Sequence, residues 1–152
     1  MKKELDDLLV KKYPKIFRDR YADMRTTAMC WGFEFFEGWM WLMDSLCNCI
    51  QSYIDNNPHL KITQVVAVQT KEKYGSLRFY YDGGDDLVSG MVWLAEHQSY
   101  DICEVCGSTK DVGRTGVTTD GWVYTRCKKC AESENLLDWK SNDEIAKDEE
   151  QE

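Results

Sequence analysis

Histidine is scarce in this 152-residue chain: His59 and His97 are the only two, and neither sits in a catalytic pattern. That shortage removes the commonest general base and the commonest nitrogen ligand for metals. No nucleophile elbow, phosphate-cradling glycine loop or paired-histidine arrangement occurs. Proline occurs twice, and Pro14 and Pro58 each mark the end of a helical pattern. Long apolar runs are missing, because Glu34, Glu37 and Asp44 interrupt the best of them, which excludes a membrane-spanning helix. The first ten residues are charged and carry no secretory pattern. The expectation is a soluble, cytoplasmic protein without membrane partners. The chain reads as a binding protein more than an enzyme, although Glu34, Glu37, Asp44, Glu72 and Asp82 lie near aromatics and leave carboxylate chemistry open.

Aromatic residues are plentiful, with six Trp, eight Tyr and five Phe. So many amphipathic rings supply a core and leave material for a binding surface. The net charge of −8 is uneven: residues 141–152 hold six acids and one Lys, so most of the acidity is a tail. Composition predicts that this tail, 141–152, is solvated and disordered.

Apolar periodicity predicts helices over 3–13 and 37–55, the second carrying Trp39, Leu42, Met43, Leu46, Cys49, Ile50, Tyr53 and Ile54 on its apolar face. Residues 61–71 are β-branched and 76–82 alternate, with Leu77, Phe79 and Tyr81 on one face and Arg78 and Tyr80 on the other; a turn at Gly75 makes them a hairpin. A helix capped by Asp85 or Asp86 follows to about Ser99, with Leu87, Met91, Leu94 and Ala95 facing inward. A last short helix is expected near 130–139.

Seven cysteines are present, and four form two pairs, Cys103-x-x-Cys106 and Cys127-x-x-Cys130, twenty residues apart. That spacing matches a four-thiolate zinc ribbon or treble clef. A two-residue gap lets both thiolates of a knuckle turn onto one ion, and Gly107 stands where positive φ is often needed. Four ligands leave no open coordination position, so the expected Zn2+, one per chain, is structural. An Asp120-Gly121 turn leads into a strand that delivers Cys127. Cys30, Cys47 and Cys49 are read as inert thiols. The fold class is therefore α+β: a small antiparallel sheet packed by helices over 1–100, with a zinc-binding module over 101–140.

Zinc modules often bind nucleic acid, and this one holds five bases, Lys110, Arg114, Arg126, Lys128 and Lys129. Three acids and the negative thiolate centre bring it close to neutral, a weak footprint for phosphate binding. A nucleic-acid-binding zinc-ribbon regulator is therefore the alternative reading.

Three segments occur in order: Trp31-Gly32-Phe33-Glu34 leading to Gly38-Trp39; Glu72-Lys73-Tyr74-Gly75-Ser76-Leu77-Arg78-Phe79-Tyr80-Tyr81; and Cys103-x-x-Cys106-Gly107 followed by Gly121-Trp122 and the second pair. This order resembles a group of small tailed-phage proteins with a WGFE…GW segment, an EK(F/Y)GxLRFYY segment and a C-terminal zinc knuckle. Some of that group use His as the last ligand, where this chain has Cys130. The resemblance implies an accessory binding protein acting inside a bacterial host cell, where it inhibits or sequesters a defence component, either a protein or a signalling nucleotide. The hairpin supplies suitable chemistry: Lys71, Lys73, Tyr74, Arg78 and Tyr80, with Trp122 from the module, combine cations for phosphate with rings for a base, and the same set suits a protein hot spot. The plainer alternative pairs Arg78 with an acid such as Glu34 and packs the tyrosines.

Overall fold

The computed structural model describes residues 1–116 and 121–150. Helix α1 (Lys3–Lys12) has Glu4 and Asp6 in its first turn and Lys11 and Lys12 in its last, the arrangement the helix dipole favours. It buries Leu9. The segment after it, ambiguous from sequence, runs through turns that bury Ile16 and Phe17. Arg20 ties that segment down: it pairs with Asp6 on α1 at 2.7 Å and donates to Cys30 O at 2.8 Å.

Strand β1 (Phe33–Glu34) is followed by a 3-10 turn at Glu37–Trp39 and by the central helix α2 (Met40–Asn56). Helix α2 buries Leu42, Met43, Leu46, Cys47 and Ile50. Cys49, expected on the apolar face, is exposed, and Cys47 takes the buried position beside Met43. Two residue steps turn a helix by about 200°, so these two thiols face opposite environments.

Strands β2 (Val66–Lys73) and β3 (Ser76–Asp82) form the predicted hairpin, but β2 begins five residues later than the pattern indicates. The sheet order is β1-β2-β3, with β1 parallel to β2 and β3 antiparallel. The sheet is thus mixed where an antiparallel one was expected. Strand β3 is an edge, and side chains satisfy its outward amides: Leu77 N donates to Ser99 Oγ and Phe79 N to Glu96 Oε1, each at 2.9 Å.

Helix α3 (Asp86–Gln98) is capped by Asp85, whose side chain accepts from Val88 N at 3.1 Å. Its buried stripe is Val88, Val92 and Ala95, whereas Leu87 and Leu94 are exposed. Of the expected inward face, Ala95 is buried and Met91 packs against the core, but Val88 and Val92 take the places expected of Leu87 and Leu94. Leucine is the more hydrophobic, but the smaller side chains of two valines and an alanine at i, i+4, i+7 let the helix approach the sheet closely.

The C-terminal module contains β4 (Val112–Arg114), β5 (Thr125–Cys127), α4 (Lys128–Ser133), β6 (Lys140–Ser141) and α5 (Asn142–Glu149), with sheet order β5-β4-β6. The first Cys pair lies in a knuckle, a hairpin follows, and the second pair opens a helix. Of the two topologies considered, this order is the treble-clef-like one. Helix α4 stops at Ser133, short of the expected 139, and Asn135 takes φ 55° where the chain turns away. The tail is not disordered over 142–149. Ser141 and Glu144 form a reciprocal capping box, and Asn142 Nδ2 donates to Tyr100 O at 3.0 Å. Capping and tertiary anchoring outweigh the acidic composition there. The expected turn residue Asp120 lies outside the described residues.

Candidate functional site

The four sulfur atoms of Cys103, Cys106, Cys127 and Cys130 all lie within 4.8 Å of one another. Cys106 Sγ and Cys127 Sγ are 3.7 Å apart. A tetrahedral ion with metal–sulfur bonds of about 2.3 Å requires sulfur–sulfur edges of about 3.8 Å. The cluster therefore has the geometry to hold a metal ion, and four ligands would complete a tetrahedron.

The local chain explains how the sulfurs converge. Gly107, at φ +75°, closes the knuckle through its N–H to Cys103 O at 2.8 Å. Strand β5 ends on Cys127, and one helical turn from there presents Cys130. Burial disfavours the Cys103 thiolate, but the backbone amides of Cys106, Cys127 and Val105 aim at its sulfur and bring its pKa below the ordinary value. Burial, followed by contact with neighbouring thiols, pushes Cys130 well up. A cation at the centre reverses that effect, because a coordinating thiol is deprotonated outright.

The knuckle is joined to the body by the segment around Gly38. Gly38 N donates to Glu104 O at 2.7 Å, and Trp39 Nε1 donates to Ile102 O at 2.8 Å. Phe36 N donates to Glu104 Oε1 at 3.2 Å. A Cβ on Gly38 would lie 2.6 Å from the Glu104 carbonyl carbon. Only glycine lets the two backbones approach this closely. The WGFE…GW segment is thus the platform on which the knuckle stands.

An ion-pair network behind the knuckle was not visible from the sequence. Arg126 Nη1 meets Glu104 Oε2 at 2.9 Å, with both side chains only 3% exposed. Its Nε meets Glu134 Oε2 at 2.9 Å, and its guanidinium lies over the rings of Phe36 and Tyr124. Burial pushes the Glu104 carboxyl up, and Arg126 opposes that shift. Arg126, counted among the bases open to phosphate, is instead a buried structural cation. A lone Arg directly before a Cys gives no sequence signal of such a role.

The second docking point is the hairpin tip. Tyr74 and Gly75 both have positive φ, 54° and 76°, as a two-residue type I′ turn requires. Thr125 Oγ1 donates to Gly75 O, and Glu72 Oε1 accepts from Gly75 N at 2.7 Å. Tyrosine is uncommon in a left-handed position, and such positions cluster where a side chain must be presented. Here the turn holds the Tyr74 ring 68% exposed.

Between this tip and the module lies a groove of about 560 Å3, lined by Glu34, Lys71, Glu72, Lys73, Tyr74 and Trp122 among others. Of the sequence-derived binding residues, Lys71, Lys73, Tyr74 and Trp122 line it together. Arg78 and Tyr80 do not. Arg78 Nη1 pairs with Glu96 Oε2 on α3 at 3.1 Å, rather than with Glu34. Tyr80 lies under the Lys71 ammonium, 5.9 Å from ring centroid to nitrogen. Glu34 and Lys71 are register partners on β1 and β2, and the Gln69 amide donates to Glu34 Oε2 at 3.0 Å. No carboxylate lies within ion-pair distance of Lys71 or Lys73 among the described residues.

No protein-family model, curated protein or solved structure matches this chain. No helix among the described residues is long and apolar enough to cross a membrane.

Proposed function

We propose that this chain is a non-enzymatic binding protein of the phage accessory type, shaped by one structural zinc ion, that inhibits or sequesters a host component in the bacterial cytoplasm. The observation that carries the reading is the groove at the hairpin tip. It gathers two lysines without carboxylate partners and two exposed aromatics in one concavity, of a size suited to a small ligand or the side chains of a protein partner. Zinc is the ion the site suits best, since a closed set of four thiolates around a single centre is a structural zinc arrangement. The nucleic-acid alternative is weakened by the fate of the module's arginines: Arg126 is buried, and Arg114 is stacked 4.7 Å over Tyr100.

Two experiments test this reading. Elemental analysis should return one zinc and no iron per chain. Cys106→Ser should lose the metal and melt at lower temperature, and a variant with full zinc and unchanged melting would refute the assignment. For the binding function, affinity capture from expressing cells is analysed for both proteins and small molecules. Tyr74→Asn keeps a residue that tolerates left-handed backbone but removes the ring. It should fold and lose the captured component, and unchanged capture would overturn the groove as the binding site.

A further inference from the structure

The groove at the hairpin tip contains charges of both signs that do not neutralise each other. Lys71 and Lys73 stand beside the rings of Tyr80 and Tyr74, at 5.9 and 5.5 Å, and not against an acid. Glu34 is exposed and gives Oε2 to Gln69, a neutral partner that leaves the carboxylate its charge. Glu72 is occupied by the Gly75 amide. A ligand suited to this groove must offer an anion to the lysines, a flat face to Tyr74 and Trp122, and hydrogen-bond donors to Glu34. A simple polyanion meets repulsion from Glu34, and a simple cation meets repulsion from the lysines. Among nucleobases, guanine alone places an N–H and an NH2 side by side on its Watson–Crick edge, matching the two oxygens of a carboxylate.

We infer that the groove binds a free guanine nucleotide. Its base would stack on Tyr74 and Trp122, its N1–H and N2 amino group would donate to Glu34, and its phosphate would lie against Lys71 and Lys73. The groove volume of about 560 Å3 is that of a small-ligand site and not of a track for a strand. The register of β1 on β2 sets Glu34 beside Lys71, so the two recognition groups keep a fixed spacing. The left-handed turn fixes the direction of the Tyr74 ring before any ligand arrives. This inference rests on the proposed binding function and specifies its ligand.

The test is calorimetric titration of the zinc-loaded full chain with GMP, IMP, AMP, guanosine, inorganic phosphate and a short single-stranded RNA ending in guanosine. GMP should bind at least about tenfold more tightly than AMP, since a site built to receive two donors rejects a base that lacks them. IMP, which lacks only the N2 amino group, should fall between them. Guanosine and phosphate alone should each bind more weakly than GMP. Glu34→Gln should reduce the GMP-to-AMP ratio to below about threefold. Lys71→Met with Lys73→Met should lower GMP affinity about tenfold without changing the preference for guanine. Equal affinity for GMP and AMP, an unaltered ratio in Glu34→Gln, or tighter binding of the RNA than of GMP would each overturn the inference. So would no detectable heat with millimolar GMP. In that last case, a captured component that Tyr74→Asn loses would leave the broader binding function standing, and capture unchanged by Tyr74→Asn would remove both.

Discussion

Replacing Gly38 by Ala should damage the protein far more than a single methyl group ordinarily does. The added Cβ falls on backbone and not on a movable side chain: it meets the carbonyls of Cys103 and Glu104, with the Glu104 carbonyl carbon at 2.6 Å. Relief requires the 36–39 segment and the knuckle to separate by roughly 1 Å, given a normal contact of about 3.5–4.0 Å. Three hydrogen bonds span that seam, from Gly38 N, Trp39 Nε1 and Phe36 N. At about 1 kcal/mol each they amount to about 3 kcal/mol, and residual overpacking adds about 1–2 kcal/mol. For a chain of this size, a loss of about 4 kcal/mol lowers the melting temperature by roughly 10–15 °C. The assay is thermal unfolding followed by circular dichroism at fixed zinc. Gly90→Ala is the internal control, because Gly90 lies within α3 and a Cβ there meets nothing within 4 Å. That change should raise stability by about 0.5–1 kcal/mol. A Gly38→Ala protein melting within about 3 °C of the parent, or a Gly90→Ala protein falling as far, would refute the account of how the module is seated.

Glu104→Gln should be destabilising by about 3–5 kcal/mol, since it leaves Arg126 buried beside a neutral amide; urea unfolding measures it, and a loss below about 1 kcal/mol would mean that Glu134 alone satisfies Arg126. Tyr13 gives a pH signature: burial first, then its hydrogen bond to Asp44, raise its phenol from 10.0 to about 12. The folded form therefore holds the proton more tightly than the unfolded chain, so the stabilisation is complete below pH 10 and lost as pH climbs to about 12, a fall of about 2 kcal/mol. Tyr13→Phe should flatten that slope in melts between pH 9 and 12, and an equal slope in both proteins would contradict the assignment. Ser141→Ala removes the side-chain half of the capping box and leaves the Ser141 N–H on Glu144, so amides of residues 142–149 should exchange with solvent at least about fivefold faster; unchanged exchange would show that the tail is held by Asn142 instead.

The sequence by itself determined the cysteine cluster, the α2 and α3 helices and the hairpin. Each rests on short-range regularities: thiolate spacing, apolar periodicity, strand alternation and an Asp cap. The Ser141-x-x-Glu144 capping box went unread in the sequence, and it outweighs the acidic composition that pointed to disorder. The resemblance and the residue chemistry of the hairpin brought Lys73, Tyr74 and Trp122 under suspicion, although neither could show that they line one groove. What the tertiary structure decided was partner choice between distant segments. Arg78 chose Glu96 across a strand–helix contact, Arg126 chose Glu104 and Glu134 in the interior, and β1 joined β2 in parallel. On α3, Ala95 faces inward as its pattern indicates, but Val88 and Val92 took the places expected of Leu87 and Leu94, because closeness of packing, not side-chain hydrophobicity, set the rotation. Gly38 shows the division most clearly. The sequence marks it as a glycine before a tryptophan, and only the arrival of residues 103 and 104, more than sixty positions away, makes any larger residue impossible there.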